Sequence, residues 1–322
     1  MSNATPAAAR AAALDERHGL PGVLRFCEGP GGLLLAEVSN AQARATICLQ
    51  GAPLTHWQPR GQAEPVLWLS DAARYLEGKS VRGGIPVCWP WFGTPADRPQ
   101  GPAHGFARNH PWEVVATGAR PDGSTGLRLQ LDDNPATRAL WPGAFALSLD
   151  IVVGATLDLE LCTRNTGSVE LHVTEALHTY FRIGDIAAVA VRGLEGVDYF
   201  DAAAHAAGAA PVDCRQQGPV RFDGEVDRVY ASGGPCWIDD PLLLRRLHVS
   251  ATGSASTVVW NPSAAKAHRL GDMGDDGWRR MLCVESGNAR DSGVSVAPGG
   301  THRLAVRYRV APWSDADASA AT

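Results

Sequence analysis

No apolar run in this 322-residue chain approaches the ~20 residues of a membrane-spanning helix, so no membrane partner is expected. Basic blocks are missing too. Lys and Arg number 29 against 34 Asp and Glu, a net charge of −5, which sets nucleic acid aside. An anionic ligand must then be held by a few local arginines rather than by a global field. No C-x-x-C pair occurs. The seven cysteines, at 27, 48, 88, 162, 214, 236 and 283, are odd in number and widely spaced. Reduced thiols and a cytoplasmic location fit that usage. There is no H-E-x-x-H, and no G-x-G-x-x-G or P-loop follows a strand. The R-G-G-I-P at 82–86 lacks the context for either. A zinc or nucleotide enzyme is therefore not expected, and neither a cofactor nor a metal is assigned. The Ala-rich residues 1–20 carry only Arg10 ahead of their acidic residues and no continuous apolar stretch, so a secretory signal is not expected either.

Helical patterns are also scarce. The Ala-rich leader at 1–20 reads as a frayed end or a short helix, and residues 71–77 as a turn. What is abundant is alternation of period two. In F-A-L-S-L-D-I-V-V, Phe145, Leu147, Leu149 and Ile151 share one face, with Ser148 and Asp150 on the other. After Gly-Ala, Leu157, Leu159 and Leu161 resume the apolar face, which predicts an antiparallel hairpin. Similar runs recur from G-L-L-L-A-E-V-S-N to G-V-S-V-A-P-G-G-T-H-R-L-A-V-R-Y-R-V. With 35 Gly, 22 Pro and no strand–helix alternation, the chain reads as an all-β, large antiparallel β-sandwich with few short helices. A single domain is expected over 21–313, with a flexible tail at 314–322.

Some polar residues do not suit a plain sandwich. Read as one strand, V-E-L-H-V-T-E-A-L-H-T-Y-F-R-I-G puts His172, Thr174, Ala176, His178 and Tyr180 on one face. The ordinary reading of His178 is a surface or half-buried side chain. His172 and His178 would lie roughly 20 Å apart along a strand and could not share a metal. Glu285 follows M-L-C-V. It is either a solvent-facing strand end or a general base oriented by the Ser-Gly-Asn turn. Asp227 and Arg228 read as a surface ion pair. In K-S-V-R-G-G-I-P-V-C-W-P-W-F-G, Arg82 precedes two glycines and a crowd of aromatics. That crowd is either a core plug or a face on which a sugar ring stacks. The loop G-P-A-H-G-F-A-R-N-H-P-W holds His104, Arg108 and His110. It suggests an acid or base beside an anion clamp.

Seven segments, S-V-R-G-G-I-P-V-C-W-P-W-F-G, H-G-F-A-R-N-H-P-W-E-V, A-L-H-T-Y-F-R-I-G-D, V-R-G-L-E-G-V-D-Y-F-D, V-D-R-V-Y, V-V-W-N-P and C-V-E-S-G-N, occur in the order seen in hexose-6-phosphate mutarotases. The chain thus resembles the glucose-6-phosphate 1-epimerases of the aldose 1-epimerase superfamily over residues 20–312. The resemblance implies a galactose-mutarotase-type β-sandwich and a monomer. It implies interconversion of the α and β anomers of a hexose 6-phosphate, glucose 6-phosphate first, without a cofactor. It places His178 and Glu285 as the catalytic pair. His104 and Asp227 become ligands of the sugar, and Arg82 and Arg108 become phosphate ligands. Lys79 and Trp91 are further pocket residues. Some members carry Gln where Ala103 stands here, which leaves one polar contact in question. His110 receives no role. With ordinary pKa values, Glu285 would be ionised at neutral pH and His178 partly protonated, its charge favoured by nearby carboxylates. Other readings stay open: an epimerase of unphosphorylated sugars, a non-catalytic sugar-phosphate-binding sandwich, and a lyase or glycosidase using Asp227 with Glu285.

Overall fold

The computed structural model describes residues 5–94, 101–208 and 214–313. The tail expected at 314–322 lies outside them. Two eight-stranded antiparallel sheets face each other. Between them lies one core that takes Leu177, Phe181, Val259 and Val284 from one sheet and Leu149, Leu161, Leu247 and Val306 from the other. A four-stranded sheet spanning residues 24–59 extends the assembly.

The predicted hairpin is present. Strand Phe145–Val153 alternates buried and half-buried residues along its length. It pairs with Thr156–Asn165 from Phe145↔Asn165 to Val153↔Leu157. The side-chain period of two explains why this segment could be read directly.

Local chemistry accounts for the helices and the irregular segments. The leader holds a helix, Pro6–His18, with proline at its start and Thr5 Oγ1 accepting from the Ala8 N–H at 3.0 Å. Three short helices were not foreseen: Pro135–Leu140, Ala202–Ala206 and Ser263–Leu270. The first has a capping box between Asn134 and Thr137. The last ends on Gly271 in the left-handed conformation. P-V-L-W-L-S at 65–70 makes only isolated bridges, Leu67↔Phe181 and Leu69↔Gly83.

The single strand expected through His172 and His178 is broken into Leu171–Val173, Glu175–Leu177 and Tyr180–Arg182. The backbone donors leave the ladder at two points. Thr174 N–H goes to the Pro90 carbonyl, and His178 N–H to the Pro86 carbonyl, both at 3.0 Å. His178 therefore sits at a strand break. Pro86 and Pro90 flank the short strand Val87–Cys88, whose Trp89 neighbour is fully buried and donates to Thr163 Oγ1 at 2.9 Å. The tryptophan-rich run is thus in part a core plug. It also supplies the carbonyls that hold the histidine strand.

Candidate active site

One sheet brings the polar residues together. Strand Val226–Tyr230 pairs with Ser256–Asn261, which pairs with Met281–Asn288. That last strand pairs with both Glu175–Leu177 and Tyr180–Arg182. Reading across, Asp227 lies opposite Trp260, Trp260 opposite Cys283, and Cys283 opposite Tyr180. Directly opposed residues share a face. Glu285 is two residues beyond Cys283 and so joins that face. All eight residues of Met281–Asn288 are buried. Leu282 and Val284 enter the main core, while Met281 and Cys283 join a second cluster with Trp68, Tyr180 and Trp260. A strand packed on both faces shows no alternation, which is why Glu285 could not be assigned a side from sequence.

His178 Nδ1 lies 3.2 Å from Glu285 Oε1. His178 is 7% exposed and Glu285 1%, so neither is the surface group that its residue type suggests. His178 Nδ1 and Glu285 Oε2 are both buried without a hydrogen-bond partner. Two unsatisfied polar atoms in one buried spot are costly and point to a ligand that satisfies them. The imidazole is stacked on Tyr180, with centroids 4.7 Å apart and planes 5° from parallel. Trp260 meets its edge at 6.0 Å.

The strand register is fixed by a second buried cluster. Glu175, opposite Asn288, accepts from Asn288 Nδ2 at 3.1 Å, and its Oε1 lies 2.8 Å from His302 Nε2. Glu175 and Asn288 each stand three residues before the catalytic candidate or after it, so this clamp sets where the pair meets.

The loop residues close over the pair. His104 has φ 60° and Gly105 φ 74°. A Cβ at Gly105 would fall 2.0 Å from the Trp89 carbonyl oxygen, so only glycine fits there. A left-handed histidine costs about 1–3 kcal/mol. That cost aims the ring at His178, 5.6 Å away between centroids. His104 Nδ1 accepts from the Gly93 N–H at 3.4 Å, which leaves Nε2–H as a donor. Burial, with Arg108 and Arg82 nearby, pushes His104 down to about 3, so it is neutral. Phe92 packs edge-on against it at 4.7 Å.

Arg108 donates through Nη2 to the Ala103 carbonyl at 2.6 Å, while its Nε is buried without a partner. No carboxylate among the described residues pairs with it. The contact that position 103 makes to Arg108 is through its backbone carbonyl, which any residue there would supply. Arg82 is held differently. Its Nε donates to Asp272 at 3.0 Å and its Nη1 to the Tyr180 hydroxyl at 2.9 Å. Asp227 receives Lys266 Nζ at 3.4 Å, and the same ammonium reaches Glu225 at 2.6 Å. The expected ion pair with Arg228 is not formed. Arg228 turns to Asp201 and Gln216 instead.

The other two candidates lie at the base of the loop and in a turn. Trp91 is buried, packs on Phe106 and donates to the Pro102 carbonyl at 2.9 Å, which anchors the loop base. Lys79 is exposed in the turn that Gln50 holds through the Leu76 and Lys79 carbonyls. His110 braces Phe106, its Nδ1 lying 3.0 Å from the Phe106 carbonyl. Tyr180, Trp260, Cys283, Lys266 and Asp272 belong to the site and had no role from sequence. The first three lie within the quoted motifs. Lys266 and Asp272 sit on a short helix and its exit, where no periodicity marked them.

The electrostatics correct the expected ionisation. Burial pushes His178 well below the ordinary histidine value, aided by the cationic neighbours. Burial, then the charge of Asp227, pushes Glu285 well above the ordinary carboxylate value, while Arg108 opposes this. Desolvation outweighs the carboxylates that were expected to favour an imidazolium. The two shifts favour a neutral imidazole beside a protonated carboxyl, so the pair carries one proton in total near neutral pH. Above Glu285's raised value that proton leaves, and below His178's lowered value a second one adds. If the singly protonated pair is the working form, kcat at saturating sugar stays level across about pH 6–7, where an ordinary histidine would titrate. A pH profile of kcat checks this, and a single inflection near 6.5 would contradict it.

The sequence profile described as aldose 1-epimerase matches residues 35–309. The chain belongs to the aldose 1-epimerase family. An Escherichia coli K12 protein named "putative glucose-6-phosphate 1-epimerase" is 39% identical over 259 residues, covering 80% of this chain and 84% of that protein. A Cenchrus ciliaris protein of the same name is 33% identical over 296 residues, covering 88% and 87%. The crystal structure of a "putative mutarotase" from Salmonella typhimurium superposes with a TM-score of 0.83 at 36% identity, covering 92% of this chain and 96% of that one. The fold is thus of the galactose-mutarotase type, and membership of the aldose 1-epimerase family suggests an isomerase with a sugar substrate.

Proposed function

We propose that the protein interconverts the α and β anomers of a hexose 6-phosphate, with glucose 6-phosphate as the first substrate. The observation that carries this reading is the buried His178–Glu285 pair, 3.2 Å apart and flanked by Arg108 and Arg82. The names of the relatives from E. coli and Cenchrus ciliaris point the same way.

A pyranose changes anomer by opening its ring. A base takes the proton of the O1 hydroxyl while an acid protonates the ring oxygen as the C1–O5 bond breaks. The aldehyde rotates about C1–C2 and the ring closes on its other face. Glu285 is the base and His178 the acid, so the reacting form carries the pair's one proton on the imidazole, the tautomer opposite to the one that burial favours. On closure the protons return, and no net proton is consumed. Tyr180, stacked under the imidazole, fixes its plane. His104 offers an Nε2–H, and Asp227 a carboxylate steadied by Lys266, to the sugar hydroxyls. Arg108, whose Nε has no partner, is the principal phosphate ligand. Its guanidinium suits a phosphate in charge-assisted pairs. Arg82 adds positive field, partly offset by Asp272.

Exchange spectroscopy by NMR on α- and β-glucose 6-phosphate tests the reading. His178→Asn is expected to slow catalysed exchange by roughly 10²–10⁴-fold. Unchanged exchange in this variant would remove His178 from the reaction. Equal exchange of free glucose and its 6-phosphate in the wild type would favour the unphosphorylated-sugar reading instead.

A further inference from the structure

The ring-opening reaction has no use for a thiol, yet one faces the pair. Cys283 is fully buried, two residues from Glu285 on the same face of the same strand. One ligating atom from each of His178, Cys283 and Glu285 lies within 4.8 Å of the other two. Two of the three residues also hold buried atoms without hydrogen-bond partners, His178 Nδ1 and Glu285 Oε2. An imidazole, a thiol and a carboxylate form the donor set preferred by a thiophilic divalent cation of the zinc type. Zinc bonds of ~2.0–2.3 Å in tetrahedral array place ligand atoms roughly 3.3–3.8 Å apart. The imidazole and carboxylate already stand at 3.2 Å. Movements of about 1 Å or less would bring the sulfur into the set.

From this we infer that the sugar site is also an inhibitory zinc site, with His178, Cys283 and Glu285 as its protein ligands and water in the fourth position. The claim that binding inhibits rests on reading His178 and Glu285 as the acid/base pair. Occupancy removes both groups from the sugar. On binding, the Cys283 thiol gives up its proton to solvent, as does the proton shared by the pair, and a sulfur–zinc bond forms. No electron is transferred, so chelation reverses the change. The metal is a competitor of the sugar here and not a resident cofactor.

The test uses the full chain, freed of metal with a chelator. Zinc chloride is titrated into the anomer-exchange assay, and cobalt(II) chloride into a parallel optical titration. Competitive inhibition by zinc, reversed by EDTA, is expected, together with a thiolate-to-cobalt charge-transfer band in the near ultraviolet. Cys283→Ser is expected to lose the band and, measured against its own metal-free exchange rate, to need at least tenfold more zinc for half inhibition. Cobalt binding without that band, or equal zinc inhibition of wild type and Cys283→Ser, would overturn the site. The optical measurement on wild type decides it should Cys283→Ser not fold. The two readings fail separately. The band without anomer exchange would leave the metal site and sink the mutarotase, and exchange that zinc leaves untouched would do the reverse.

Discussion

Glu285→Gln is expected to slow anomer exchange by roughly 10²–10⁴-fold and, at the same time, to raise thermal stability. The first effect follows from losing the base. Gln is nearly the same shape but cannot accept the O1 proton. The second follows from where the carboxyl sits. It is 1% exposed, Oε2 has no partner, and burial with Asp227 nearby raises its pKa well above the ordinary value. A carboxyl raised in the folded state contributes its stability below the unfolded value and loses it as pH climbs through the folded one. Each pKa unit of displacement is worth about 1.4 kcal/mol. Wild-type stability should therefore fall as pH rises across that interval, and Glu285→Gln should lack the slope. Thermal melts at several pH values, beside NMR exchange rates, measure both. A variant that is slow and also less stable at neutral pH would show that Glu285 is a structural anchor.

Arg108→Ala is the second large effect. KM for glucose 6-phosphate should rise about 10- to 100-fold, since a hydrogen-bonded contact to a charged group is worth about 1.5–3 kcal/mol. Exchange of free glucose should change little. The reason is an asymmetry between the two arginines. Arg108 gives one bond to the Ala103 carbonyl and keeps an unsatisfied Nε, whereas Arg82 is already tied to Asp272 and to the Tyr180 hydroxyl. A free donor gains more from an incoming phosphate than a satisfied one. Arg82→Ala should raise KM for the phosphorylated sugar by less. Steady-state kinetics on both sugars separates the cases, and equal losses on the two substrates for Arg108→Ala would refute its phosphate role.

Sequence legibility tracks one physical property, whether a segment has two different faces. Phe145–Val153 has one face in the core and one half-exposed, so its pattern states its structure. Met281–Asn288 is covered on both, so Glu285 had no legible side. The His178 segment misled for another reason. Its apparent continuity is broken by bonds to the Pro86 and Pro90 carbonyls, some 90 residues away in the chain. The resemblance of seven ordered segments named His178, Glu285, His104, Asp227, Arg82 and Arg108, and the fold gathers these into one site. It offered Lys79 and Trp91 too, which the structure places in an exposed turn and against Phe106. The protonation state was not legible at all. Ordinary pKa values describe groups in water, and neither member of the pair is in water.

The site divides its labour between two kinds of backbone. Glu285 and Asp227 stand within sheet strands, and His178 at a strand junction, with the register pinned by Glu175, Asn288 and His302. His104 and Arg108 ride on one short loop braced by Trp91, Phe106 and His110. Ligand preference is thereby modular. Under the proposed reading, a change in the loop alters the Arg108 contact to the phosphate while the strand-borne His178–Glu285 pair stays in place.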